Sequence, residues 1–234
     1  VSARRFLAAV AVAVCAAAAV EAAAQVAPSV TEIAGYMGLH AAAHRGDVAE
    51  IERLAAADAR RLEARDARGR TPLHVAAFAG QREAIRALAR AGADLGALDD
   101  DRYDAVTIAA VADDAPTLRV LLSLGASAGL VTSRYDGTAL IAAAHLGHDG
   151  IVRQLIAAGA PLDHVNNLHW TAVIEAIVLG DGGPRHQATL RALVDAGADV
   201  CLADREGRRP LELAVARGYS NMAAVVEAGS TRCR

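Results

Sequence analysis

From about residue 36 to residue 229 the apolar positions of this chain fall into two alternating cadences. One is a short, alanine-rich stretch, as in "TPLHVAA" from Thr71; the other is longer and amphipathic, as in "AIRALARAG" from Ala84. The longer stretches recur as "TLRVLLSLG" from Thr117, "IVRQLIAAG" from Ile151 and "TLRALVDAG" from Thr189. Their apolar residues return at helical spacing, and each closes on a glycine, which suits a left-handed helix terminus. The pattern predicts thin helices in pairs, joined by polar turns.

The short stretch is periodic. "TPLHVAA" at Thr71 is followed by "DAVTIAA" at Asp104, "TALIAAA" at Thr138, "TAVIEAI" at Thr171 and "RPLELAV" at Arg209, at spacings of 33, 34, 33 and 38 residues. An earlier copy, "MGLHAAAHRG", begins at Met37. A second marker keeps the same register: "AGAD" at Ala91, "LGAS" at Leu124, "AGAP" at Ala158, "AGAD" at Ala196 and "EAG" ending at Gly229. Threonine or aspartate at the head of a helix can accept from an unpaired backbone N–H, and Pro72 sits where a missing donor costs nothing. The alanine pairs keep the first helix slim so that neighbouring units can approach. Two such helices cannot bury themselves alone, whereas a stack of six pairs can.

These residues resemble the ankyrin repeat family, in its period of about 33 residues and its T-P-L-H-x-A signature. The resemblance implies an all-α solenoid of about six helix-turn-helix units joined by β-turn or hairpin loops. The expected units are 36–65, 66–98, 99–132, 133–165, 166–203 and 204–229, with 25–35 as a linker and 230–234 as a tail. The terminal copies depart from the pattern, with Met37-Gly38 and Asp58 in the first and Arg209 and Glu212 in the last, as expected of faces that meet water. In the fifth unit "GDGGPRHQATL" adds five residues, expected as an enlarged loop on the back of the stack.

Residues 1–24 are read differently. Arg4 and Arg5 precede an apolar run from Phe6 to Val20, too short to span a bilayer, and Ala22 and Ala24 fit a cleavage site before Gln25. The expectation is a removed export signal, and hence a periplasmic or secreted protein with no membrane insertion after its removal. A buried or membrane-embedded helix is the alternative. Without Arg4, Arg5 and Glu21 the chain carries 22 basic and 26 acidic residues, and no basic run remains for nucleic acid.

In a stack of this kind the resemblance implies function at the turn tips and the inner helix face. The turns present Arg68, Arg70, Tyr103, Arg134, Tyr135, Trp170, Arg205 and Arg208, the residue types enriched at binding hot spots. Arg70, Tyr103, Gly137, Trp170 and Arg208 occupy one slot of successive turns and are expected as a row along the concave edge, contacting another protein. On this reading Trp170→Ala with Tyr103→Ala weakens binding and leaves stability nearly unchanged.

Catalysis has no comparable set of residues. His145 and His148, with His164 and His169, prompt a metal-dependent or hydrolytic alternative, but no cysteine or carboxylate joins them at a ligand spacing. Asp99, Asp100, Asp101 and Asp104 lack the order of a calcium loop and are expected as a solvated turn. No cofactor is expected. Cys201 and Cys233 hold equivalent positions in adjoining units, about 10 Å apart in regular stacking, yet Cys233 lies on a tail that can bend back. An oxidising compartment makes their disulfide an expectation. The resulting picture is a non-catalytic protein-binding module, a monomer by default, with a secreted effector or toxin antagonist as a further alternative.

Overall fold

The computed structural model describes residues 25–230. The expected export segment 1–24 and the last four residues, Cys233 among them, lie outside the described residues. Thirteen α-helices, one 3-10 turn and one two-stranded hairpin make up the regular structure among the described residues. After α1 (Val30–Gly35) the helices come in pairs: α2 (Gly38–Arg45) with α3 (Val48–Ala57), α4 (Pro72–Phe78) with α5 (Arg82–Arg90), and α6 (Ala105–Val111) with α7 (Ala115–Ser123). The series continues with α8 (Ala139–His145) and α9 (Asp149–Ala157), α10 (Ala172–Val178) and α11 (Pro184–Asp195), then α12 (Pro210–Ala216) and α13 (Ser220–Gly229).

Even-numbered helices from α2 to α12 stack into an inner row, odd-numbered helices from α3 to α13 into an outer row, and each inner helix packs on its own outer partner. The division of labour follows side-chain size. Inner helices meet through Ala76, Ala109, Ala143 and Ala176, all fully buried, so their axes approach closely. The outer row fills the space behind with Ile85, Leu88, Leu118, Leu121, Ile151, Leu155, Leu190 and Leu193. The four closing glycines, Gly92, Gly125, Gly159 and Gly197, have φ of 97°, 94°, 81° and 100°, the left-handed region that a side chain disfavours.

Helix starts follow the expected chemistry with one refinement. Asp104, Thr138 and Thr171 accept from the backbone N–H three residues on, at 2.8, 3.3 and 3.3 Å. At Thr71 the reciprocal bond carries the cap: the Thr71 N–H donates to His74 Nδ1 at 3.0 Å. Asp58, standing where a closing glycine was expected, accepts from the Arg60 N–H and opens a single 3-10 turn over Ala59–Glu63.

Two expectations change. The stretch 25–35, expected as a linker, contains α1, whose Ser29 and Glu32 form a reciprocal cap. The inserted residues of the fifth unit form more than a loop, because Pro184 starts α11 early and gives it 12 residues against nine in α5, α7 and α9. Its first turn runs along the loops between paired helices: Arg185 reaches Asp113 at 2.7 Å, and His186 Nε2 lies 2.9 Å from the His145 carbonyl.

Candidate functional site

The turns that line one edge of the inner row share one internal geometry. Asp66, Asp99, Asn166 and Asp204 each accept two backbone N–H groups through one side-chain oxygen, from the residues two and four further on. The local side-chain bond fixes the turn, as aspartate and asparagine do well. The third turn instead forms the hairpin of β1 (Val131–Thr132) and β2 (Gly137–Thr138), with Val131 opposite Thr138. Successive turns are also tied to each other. The Asp100 N–H donates to the Arg68 carbonyl, Ser133 to Arg102 and Asn167 to Tyr135, at 3.1, 2.9 and 2.9 Å. The acidic run is therefore structural rather than merely solvated: Asp99 closes a turn, and Asp104 is buried at the head of α6. Burial pushes both carboxyl groups above the usual aspartate range.

Histidines of the signature link inner helices to the next turn. His40 Nε2 meets the Arg70 carbonyl at 2.9 Å, and His74 Nε2 meets that of Tyr103 at 3.0 Å. Because His74 Nδ1 accepts, its Nε2 carries the proton and donates. Burial lowers the His74 pKa to about 4, keeping the ring neutral.

Arg70 requires a correction. Expected on the outward rim, it is buried with 1% of its side chain exposed, and so is not available to a partner. Its guanidinium donates to Asp66 Oδ2 at 2.7 Å, to Glu32 Oε1 at 2.5 Å and to the Val26 carbonyl at 3.2 Å. Tyr36 donates to the same Asp66 Oδ2 at 2.8 Å. Bonds from Ser29, followed by those from Arg70, hold the Glu32 carboxyl near a pKa of about 2. Burial, reinforced by Asp66, raises the Tyr36 hydroxyl well above its ordinary value. The segment before the first unit thus lies over the turn and seals it.

The other expected contacts are spread along the edge. Arg68, Arg134, Arg205 and Arg208 are exposed, and each pairs with its own stack: with Glu32, Asp101, the Asn167 carbonyl and Asp204 respectively. Tyr103 and Trp170 are half-buried against the core. That placement changes the expectation of a stability-neutral Trp170/Tyr103 double variant, since both rings pack against the core.

Tyr103 and Tyr135 do converge, on a pocket of about 190 Å³ over the inner faces of α6, α8 and α10. Its walls include Val111, Ile141, Ala142 and Leu146, and its polar groups include Thr107, Asn166, His145 and Glu175. Glu175 is 4% exposed. Asn166 Nδ2 donates to its Oε1 at 3.0 Å, while Oε2 lies 3.4 Å from His145 Nδ1 and has no hydrogen-bond partner. Gln25, from the segment that crosses Arg70, also lines the pocket, and its Nε2 is likewise buried and unpaired. Sequence reasoning missed Glu175. Its signal was present: the same position in the other copies is Ala41, Val75, Ile108, Ala142 and Leu213, so a carboxylate breaks an apolar column.

The histidines weighed as metal ligands go separate ways. His148 Nδ1 meets the Ala110 carbonyl at 2.9 Å, His164 Nε2 the Asp136 carbonyl at 2.6 Å, and His145 faces Glu175. Among the described residues no group of three or more histidine, cysteine or acidic side chains could hold a metal ion, and no helix is long and apolar enough to cross a membrane. Cys201 is disulfide-bonded. The expected partner, Cys233, lies outside the described residues.

Comparison with known proteins agrees with this architecture. A family model described as ankyrin repeats (3 copies) matches residues 9–99 and 106–204. A protein named for ankyrin repeats, YahD of Escherichia coli (strain K12), is 34% identical over 186 residues, covering 79% of this chain and 92% of its own length. The crystal structure of an ankyrin repeat domain from Acinetobacter baumannii AYE superposes with a TM-score of 0.76 at 40% identity, over 82% of this chain and 97% of that one. The ankyrin repeat domain of Bcl-3, a member of the IkappaB protein family, gives 0.73 at 26% identity, over 83% and 86% of the two chains.

Proposed function

The chain belongs to the ankyrin repeat family, whose repeats are generally protein–protein interaction modules, and from that premise we propose that it is a non-catalytic binder acting after export. The observation that carries this is the pocket on the inner row, where two tyrosines of adjacent turns flank apolar walls. Aromatic side chains over a preformed hollow give large contact area at little ordering cost. Family membership adds weight, since such repeats are typically non-enzymatic. The Arg4-Arg5 start and apolar run support export to a periplasmic or extracellular site.

A paired capture experiment tests this. Tyr135→Ala with Leu146→Asp alters two pocket-lining residues, of which Leu146 is already 39% exposed. The double variant is expected to keep its melting temperature and to lose at least about tenfold in affinity for the protein that wild type captures from the periplasmic fraction. Equal capture by a folded double variant sinks the assignment of binding to this face.

The bond at Cys201 fits the same compartment. We propose Cys233 as its partner, linking the tail to the last full turn. The secreted protein, denatured without reductant, is then expected to show no free thiol and to yield one Cys201–Cys233 cross-linked peptide by mass spectrometry. Two titratable thiols would discard the pairing.

A further inference from the structure

We infer that the pocket over α6, α8 and α10 receives a lysine or arginine side chain of the bound protein, with Glu175 as its counter-charge; this rests on the binding-module reading above. Among the described residues, Glu175 is the only Asp, Glu, Lys or Arg side chain in the pocket lining. It stands on the inner face of α10, in a column that is apolar in the other copies. A carboxylate taken out of water at such a position is costly unless paired, and buried acceptors almost always find a donor. Asn166 satisfies one oxygen and leaves the other, Oε2, without a partner. His145 Nδ1 stands 3.4 Å from that oxygen but makes no hydrogen bond to it.

The pocket's own occupant does not resolve the mismatch. Gln25 brings a donor, Nε2, into the same lining, yet that nitrogen is unpaired as well. An unsatisfied acceptor and an unsatisfied donor share one hollow without meeting. A side chain that delivers a charged N–H to Oε2 removes both defects when it displaces Gln25, because the freed amide returns to water. The walls suit the stem of such a group. Val111, Ile141, Ala142 and Leu146 offer apolar surface to methylenes while the charged head goes inward, the division that lysine and arginine side chains readily adopt. A free amine has the same head, but Tyr103 and Tyr135 of successive turns also line the pocket and offer a peptide flanking contacts that a small molecule lacks.

The test uses the full chain and three nine-residue peptides with glycine-serine flanks, centred on arginine, lysine or norleucine, beside N-acetyl-arginine amide as the free-group control. Affinities are read by NMR titration. At least one cationic peptide is expected to bind about tenfold or more tightly than the norleucine peptide and more tightly than the free amide, and Glu175→Gln is expected to erase the preference for charge. Equal binding of the norleucine peptide, a preference that survives Glu175→Gln, or no binding by any peptide overturns the inference. Tighter binding of the free amide than of the peptides overturns the choice of a protein side chain. The norleucine comparison needs no protein variant, so a Glu175→Gln protein that fails to fold leaves the test decisive. A captured partner that is lost with Tyr135→Ala/Leu146→Asp but held by Glu175→Gln keeps the binding module and discards the cationic anchor.

Discussion

Replacing Arg70 with alanine is expected to cost the stack about 3–5 kcal/mol, the usual penalty for removing one partner of a buried ion pair. The substitution leaves the Asp66 carboxylate, with 9% of its side chain exposed, without the guanidinium that neutralises it. It also frees α1. No residue of that helix is buried, so its attachment depends on polar links: Glu32 to Arg70 and Arg68, Val26 to Arg70, and Tyr36 beyond its end to Asp66. Urea unfolding reads the loss as a lower midpoint, and hydrogen exchange should show amides of Val30–Gly35 losing protection first. Arg70→Lys is expected to recover only part of the loss. An ammonium is a point donor and cannot span the Asp66, Glu32 and Val26 oxygens as the planar fork does. An alanine variant within about 1 kcal/mol of wild type would contradict the account.

The second large effect is one of pH. His74 has a folded-state pKa of about 4 against an ordinary value of 6.5, because burial penalises the charged ring. Between those values the unfolded chain binds a proton that the native chain does not, so stability falls as pH is lowered through this window. The full stabilisation is present above pH 6.5, and about 3 kcal/mol is lost by pH 4 from this group alone. Glu32 acts in the same sense in a lower window, since its depressed pKa of about 2 costs stability as pH falls below the ordinary glutamate value of 4.5. Asp99 and Asp104, raised by burial, act in the opposite sense and partly offset both. The clean reading is therefore a difference. Wild type minus His74→Gln, measured by urea unfolding at pH 7 and pH 4.5, should shrink by about 2–3 kcal/mol. A difference that stays constant with pH would show that His74 is not held neutral.

Much of the fold was legible from the chain. The Thr/Asp starts, the alanine inner rows and the closing glycines each constrain the backbone locally, and a local constraint repeated in one phase leaves a stack as the only way to bury it. The site was less legible, for a reason that Arg70 and Arg208 make plain. They occupy the same slot of the same turn, each bonded to the aspartate four residues before, yet one has 1% of its side chain exposed and the other 55%. Periodicity defines the slot, whereas exposure depends on what lies over it, and the cover on Arg70 comes from residues 26–36, outside the repeat. Glu175 was hidden by the opposite habit. It lies on an inner helix, away from the variable turns, at a position where the repeat pattern marks only an apolar residue.

Arg185 has one consequence beyond its own helix. A stack held only by adjacent contacts behaves like a spring, and its coils open or close with little resistance. From the start of α11, Arg185 reaches past α9's own start, where Asp149 Oδ1 lies 3.8 Å away, to Asp113 before α7 at 2.7 Å. Exposed as it is, the strut adds little to the energy of folding. What it does is clamp three coils at once, the same three whose inner helices frame the Glu175 hollow. The coils that frame the hollow are thus joined on the far edge of the spring as well as through their neighbouring helices.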